Sequence, residues 1–171
     1  MRLLLHMCCG PCAVYPVSVI KEKNIEFEGY FYNPNIHPIE EFERRMENVK
    51  ILSEKESIKM YYDNEFLQNI WEEYKEDKDK RCQMCYTLRL SKVAEFASKN
   101  GFTAFSTTLL VSPYQNHELI KNLGEEFANK YGVEFFYEDF RTGFREGQRK
   151  AKEMGLYRQK YCGCIKSLTY N

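Results

Sequence analysis

Strand-length apolar runs alternate with helix-length segments along almost the whole chain, and this alternation limits the fold more than any other feature. Residues 2–7 read as a short buried strand, broken at Gly10-Pro11, with a helical stretch over 13–23. An aromatic-rich strand over 27–32 stops at the turn signal Asn33-Pro34-Asn35. Pro38 opens a charged helix to about residue 54, in which Phe42, Met46, Val49 and Leu52 fall on one face. A weaker strand follows at 58–62, then a helical segment at 65–71. The nearly all-charged run 72–81 reads as a solvated face or loop. Beyond it come a helix over 86–98 closed by Asn100-Gly101, a strand over 102–110 carrying Ser106, Thr107 and Thr108, and a helix over 116–130. A short strand at 133–137 precedes a basic helix over 142–153, which leads through Gly155 into an irregular, cysteine-bearing tail.

Such alternation implies βαβ units: a mostly parallel sheet with helices on both faces, of Rossmann-like (HUP-like) type. The 171 residues, 43% of them hydrophobic, suffice for one domain, and no repeat or linker divides the chain. The expectation is a single metal-binding α/β domain over 1–171, with the basic helix and tail of 141–171 packed on it. The apolar run at 3–5 is too short for a signal peptide, and no stretch offers the roughly 18 apolar residues of a membrane span. A cytoplasmic protein is expected. In sheets of this kind ligands sit beyond the carboxyl ends of the strands. Cys8, Cys9 and Cys12 follow the first strand there, His37 the second, and Ser112 to Gln115 the fourth.

Seven cysteines are too many to ignore and, being odd in number, cannot all pair within one chain. In a reducing compartment they are metal ligands or redox groups. Six of them fall in close-spaced sets at Cys9-Gly10-Pro11-Cys12, Cys82-Gln83-Met84-Cys85 and Cys162-Gly163-Cys164, with Cys8 beside the first. The short spacers are read as tight turns that let paired sulfurs converge on a metal. The residues leave three chemistries open: a [4Fe–4S] cluster, zinc, or thiol redox alone. The first pair resembles a thioredoxin motif, but it follows the first strand and leaves five cysteines unexplained. No Gly-x-x-x-x-Gly-Lys-Ser/Thr loop is present.

Five ordered strings cover nearly the whole chain: Cys8-Cys9-Gly10-Pro11-Cys12; His37-Pro38-x-x-Glu41-x-x-Arg44; Arg81-Cys82-x-x-Cys85-Tyr86-x-x-Arg89-Leu90; Ser106-Thr107-Thr108-Leu109-Leu110-x-Ser112-Pro113-Tyr114-Gln115; and Gly155-Leu156-Tyr157-Arg158-Gln159-x-Tyr161-Cys162-Gly163-Cys164. Together they resemble the cobalamin-independent epoxyqueuosine reductase family. The resemblance implies an oxidoreductase of tRNA processing that converts epoxyqueuosine at the wobble position to queuosine, the last step of queuosine biosynthesis. It also implies a [4Fe–4S] cluster, a second mononuclear metal ion with iron favoured over zinc, and no cobalamin. Cys8, Cys9, Cys12, Cys82, Cys85, Cys162 and Cys164 are then the ligands of the two centres, with the partition between them left open; neighbouring side chains diverge on an extended backbone, so vicinal Cys8 and Cys9 could serve one each.

Removing an epoxide oxygen takes two electrons and two protons, so an external one-electron donor is expected. His37 is the first candidate for proton donor, with Tyr86 and His6 behind it. A loop-ordering role is the other reading of His37, and a hydrogen-bonded core role that of His6. Residues 141–171 hold eight Lys or Arg against two acids, a net of +6, which leaves −6 on residues 1–140. Arg141, Arg145, Arg149 and Lys152 are expected on one helical face, with Arg158 beyond it, as phosphate contacts to tRNA. Tyr114, Phe144 and Tyr157 are candidate stacking residues for an anticodon base. Two other readings share parts of this pattern. An adenine-nucleotide-dependent tRNA sulfur transferase would need a Ser-Gly-Gly-x-Asp-Ser type loop in place of Cys-Cys-Gly-Pro-Cys, and a zinc-stapled RNA-binding module would be colourless.

Overall fold

The structure, a computed structural model, describes residues 1–169. Five strands, β1 (Arg2–His6), β2 (Glu26–Tyr32), β3 (Met60–Asp63), β4 (Ala104–Thr107) and β5 (Glu134–Phe135), form one sheet in the order β3-β2-β1-β4-β5. Every neighbouring pair is parallel. Leu3, Leu4 and Leu5 are all fully buried because β1 is central and covered on both sides. Each such side chain contributes about 1.5–3 kcal/mol by leaving water. Strand alternation divides them. Leu3 and Leu5, with Phe31, pack towards α1 (Gly10–Glu22) and α2 (Ile39–Glu56). Leu4, with Tyr30, Tyr32 and Phe105, packs towards α4 (Lys78–Lys99) and α5 (His117–Tyr131), after the short α3 (Gln68–Glu73).

The chain runs from β1 outward to β2 and β3, then crosses back to β4 on the other side of β1. The order therefore reverses between β1 and β4, and the loops beyond these two strands part to leave a crevice. Into it feed the start of α1 and the 3₁₀ turn Thr108–Val111, which ends β4 early because Thr107 Oγ1 accepts the Leu109 N–H at 3.1 Å.

Several boundaries differ from the sequence reading, and the differences bear on chemistry. Gly10 and Pro11 do not precede α1 but open it: the first helical N–H groups have no intrahelical partner, so proline there forfeits nothing. Cys9 is thus the N-cap and Cys12 lies in the first turn. The charged run 72–81 is helical from Lys78, where Asp77 caps α4 by accepting the Lys80 N–H at 2.9 Å. Cys82 and Cys85 consequently sit three residues apart on a helix, not in a tight turn. Arg141 belongs to the 3₁₀ turn Phe140–Gly143, ahead of α6 (Phe144–Glu153), so it does not continue the helical face of Arg145 and Arg149. Gly143 ends that turn where a Cβ would come 2.3 Å from the Tyr15 ring, which lets α6 dock on α1. The tail ends in α7 (Ile165–Thr169).

Candidate metal centre

Cys8, Cys9 and Cys12 converge at the carboxyl end of β1, with their three sulfurs within 4.8 Å of one another. The Cys8 and Cys9 sulfurs are 3.9 Å apart. Thiolates on one tetrahedral ion with bonds of about 2.3 Å stand about 3.8 Å apart, so the spacing fits a single metal. The expected divergence of Cys8 and Cys9 fails because the backbone leaves the strand after His6 and turns into α1 at Cys9. The donor set is also electrostatically suited to a cation. Hydrogen bonding from Cys12 holds Cys8 well below the usual thiol range, helped by Cys9 and Thr108, while burial pushes Cys9 up. The ionised form is thus favoured at Cys8 over its two neighbours, at the N-terminal end of a helix whose free N–H groups favour negative charge.

The expected pairing of a [4Fe–4S] cluster with a second metal is corrected by this arrangement. Among the described residues only Cys8, Cys9 and Cys12 form a convergent set of three or more ligating side chains. Three thiols match a mononuclear centre, whereas a four-iron cluster takes four. Cys82, Cys85, Cys162 and Cys164 are not part of that set. They line a small neighbouring cavity together with Tyr86, Arg89 and Gln115. Burial raises Cys82 and Cys85, and a hydrogen bond with Cys164 lowers Cys162 to about 5. Three further lining residues carry buried polar atoms with no hydrogen-bond partner, Asn35 Oδ1, Trp71 Nε1 and Arg81 Nε. Buried polar groups are nearly always satisfied, so these three atoms are spare hydrogen-bonding capacity in the cavity wall.

The C-terminal tail reaches the site through a buried network. Arg45, 3% exposed, donates to Glu41 at 3.0 Å and to the backbone carbonyls of Cys162 and Tyr161 at 2.9 and 2.8 Å. The Tyr157 hydroxyl donates to Glu41 at 2.7 Å. Gly163 adopts φ +127°, a left-handed conformation that favours glycine, and a Cβ there would meet Arg45 Nη1 at 3.1 Å. Its carbonyl accepts the His37 N–H at 2.7 Å. Gln159 extends from the tail to the sulfurs, its amide nitrogen 2.9 Å from Cys9 Sγ and 3.4 Å from Cys12 Sγ. Arg45, Glu41 and Gln159 were not singled out from the sequence as functional. Glu41 and Gln159 carry only the signal of standing in the ordered strings and Arg45 carries none, because their partners lie more than a hundred residues away.

The three candidate proton donors occupy different surroundings. His6 is fully buried, its Nε2–H donating to the Tyr32 carbonyl at 3.0 Å and its Nδ1 bonded to Thr107 Oγ1 at 2.9 Å. His37 is also fully buried, between the rings of Phe66 and Trp71. Its Nε2–H donates to the Pro34 carbonyl at 2.9 Å, and its Nδ1 accepts the Ile165 N–H at 3.1 Å. Burial lowers both histidines to about 4. Tyr86 instead lines the cavity, donates to Gln115 Oε1 at 2.5 Å and accepts the Asn116 N–H at 3.2 Å, and burial pushes its phenol up to about 12.

The depressed His37 has a consequence for stability. An unfolded histidine titrates near 6.5, so between about pH 6.5 and 4 the unfolded chain binds a proton that the folded chain refuses. Stability from this group is complete above that window and is lost as pH falls through it, by roughly 2 kcal/mol between pH 7 and pH 5. Urea unfolding of His37→Gln is expected to lose that share of the wild-type pH dependence. An unchanged slope would show that His37 is not held neutral.

Of the basic residues, Arg141 pairs with Asp139 and Arg149 with Glu153, both at the surface, while Arg145, Lys152 and Arg158 are exposed. Tyr114 is 84% exposed and meets Phe144 edge-on at 5.8 Å. Tyr157 is engaged with Glu41 and lies under Arg44. No helix among the described residues is long and apolar enough to cross a membrane.

A structure described as a predicted subunit of a tRNA methyltransferase from Methanocaldococcus jannaschii superposes with a TM-score of 0.52 over 88% of this chain and 75% of its own, at 13% identity, a likeness of fold alone. Sequence relatives are far closer. The epoxyqueuosine reductase QueH of Thermotoga maritima is 40% identical across 97% of this chain and 90% of its own length. Those of Dehalococcoides mccartyi and Haemophilus influenzae are 34% and 35% identical, over 97% and 98% of this chain and 92% and 71% of their own. The family model described as "Epoxyqueuosine reductase QueH" matches residues 3–170, so the chain belongs to the QueH epoxyqueuosine reductase family, the cobalamin-independent branch.

Proposed function

We propose that the chain is the oxidoreductase its family describes, acting in queuosine biosynthesis by removing the epoxide oxygen of epoxyqueuosine in tRNA to give queuosine. The observation that carries this reading is the convergence of three thiols at the switch point of a chain that matches the family from residue 3 to 170. The reaction consumes one epoxide, two electrons and two protons, and yields one alkene and one water. The electrons come from an external one-electron donor in two deliveries. Cys8, Cys9 and Cys12 would hold one ion, and iron or zinc suits such thiolate ligands. When bound, that ion supplies Lewis acidity towards an oxygen.

The protein's own groups do the rest. The cavity beside the thiols takes the reacting end of the substrate, with Asn35, Trp71 and Arg81 offering their unmatched polar atoms. Tyr86 is the proton donor in this reading, since a phenol raised to about 12 keeps its proton at neutral pH and gives it to a developing alkoxide. His6 and His37 are neutral braces that fix the strand ends and the tail. Arg145, Lys152 and Arg158, joined by Arg141 and Arg149 once their surface pairs exchange for phosphate, line the path of the tRNA backbone. Tyr114 offers a free ring face to an unpaired base. The strand order and the placement of the site support a HUP-like fold acting as one unit over the described residues 1–169 of the expected 1–171 domain, and a tRNA substrate is in keeping with the cytoplasm.

The test is anaerobic incubation of metal-loaded protein with a reductant and tRNA carrying epoxyqueuosine, followed by nucleoside mass analysis. A product lighter by one oxygen atom is expected, and its absence with the metal in place rejects the reaction. In the same assay Tyr86→Phe is expected to lower kcat about 10²-fold with metal loading unchanged. A wild-type rate would remove Tyr86 from the chemistry.

A further inference from the structure

Among the described residues Gln159 is the only side chain of the C-terminal tail hydrogen-bonded to the thiol group, and it reaches two of the three sulfurs at once, Cys9 at 2.9 Å and Cys12 at 3.4 Å. A thiolate accepts hydrogen bonds and donates none, so only the amide N–H₂ of Gln159 can face the sulfurs when they are ionised. The two N–H groups of one amide match two sulfurs. Gln159 follows Tyr157 and Arg158 in the segment that Asn48 and Glu41 hold against α2, where Asn48 Oδ1 accepts the Tyr157 N–H at 2.8 Å. Its backbone is thereby fixed on the thiol side of the crevice.

We propose that Gln159 is a positioning residue for the three-thiol centre, its amide bridging Cys9 and Cys12, withdrawing electron density from both sulfurs and setting their separation. This rests on the reading of Cys8, Cys9 and Cys12 as ligands of a single ion. Two effects follow. The bridge organises two of three ligands before an ion arrives, and loss of such supporting contacts typically costs 10–100-fold in metal affinity. The N–H···S bonds also stabilise the sulfur lone pairs, so removing them shifts the thiolate-to-metal charge-transfer bands to longer wavelength.

The experiment is anaerobic titration of the full chain with Co²⁺, a probe whose thiolate bands report both affinity and sulfur donation, in competition with a chelator. Gln159→Leu is expected to bind Co²⁺ 10–100-fold more weakly, with its charge-transfer bands red-shifted. Gln159→Ala, which removes the amide without adding a branch, gives the same result if the leucine variant folds poorly. Lys160→Ala, in the same segment, keeps wild-type affinity and bands. A merely structural role for Gln159 would lower loading without moving the bands of the loaded fraction, and unshifted bands in both variants overturn the proposal. Absence of any thiolate band in the wild-type protein would instead strike the three-thiol centre itself.

Discussion

Replacing any one of Cys8, Cys9 or Cys12 by Ser is expected to abolish stoichiometric metal loading and, with it, reductase activity. With three protein ligands, each thiolate is a third of the donor set, and its loss exceeds the 10–100-fold penalty typical of a supporting contact. Serine is close to isosteric with cysteine, so the metal-free variants keep the fold, and their thermal unfolding is expected near that of metal-free wild type. The same change at Cys164, outside the convergent set, leaves the Cys8, Cys9 and Cys12 centre loaded. Metal content per chain after anaerobic loading and dialysis distinguishes the two classes. A Cys12→Ser protein that retains one ion per chain would show that the three sulfurs are not the ligands, and loss of loading in Cys164→Ser would show that the centre extends into the tail.

Arg45→Ala is expected to be the most destabilising single change away from the cysteines, by about 3–5 kcal/mol, out of the 5–15 kcal/mol typical of a whole domain. The guanidinium is buried and satisfies three acceptors, and its removal leaves the buried Glu41 carboxylate with no counter-charge and only the Tyr157 hydroxyl, and takes their donor from two tail carbonyls. The damage is local in origin. Tyr161 to Cys164 lose their anchor on α2, so the tail detaches from the cavity that Cys162 and Cys164 line. Urea unfolding measures the loss, and faster trypsin cleavage at Arg158 and Lys160 reports detachment. The double variant Glu41→Gln with Arg45→Met is expected to recover part of the stability, since it no longer leaves a charge buried alone. Wild-type stability in Arg45→Ala would mean that the tail is held by the His37 loop alone.

Much of the architecture was legible from periodicity. Leucine-rich β1, aromatic β2 and the apolar face of α2 each announce themselves locally, because burial selects residues at fixed spacing whatever the rest of the chain does. The placement of Cys8, Cys9 and Cys12 beyond β1 was legible for the same reason. What misled was the local geometry of the cysteine pairs. Gly10-Pro11 signals a break by composition, though both residues suit the start of a helix, and the charges of 78–81 mask the first turn of α4.

The sequence by itself determined the parallel α/β fold, the end of the sheet at which Cys8, Cys9 and Cys12 gather and the family to which the chain belongs. Only the tertiary structure decided which thiols meet, that His6 and His37 are sealed as neutral braces, and that Arg45 and Gln159 bind the tail to the site. The division has a physical cause. Helix and strand signals repeat within a turn or two of the chain, whereas a ligand set depends on side-chain direction at helix starts and on contacts between residues 147 to 150 positions apart, as between Gln159 and its two sulfurs, which no local pattern records.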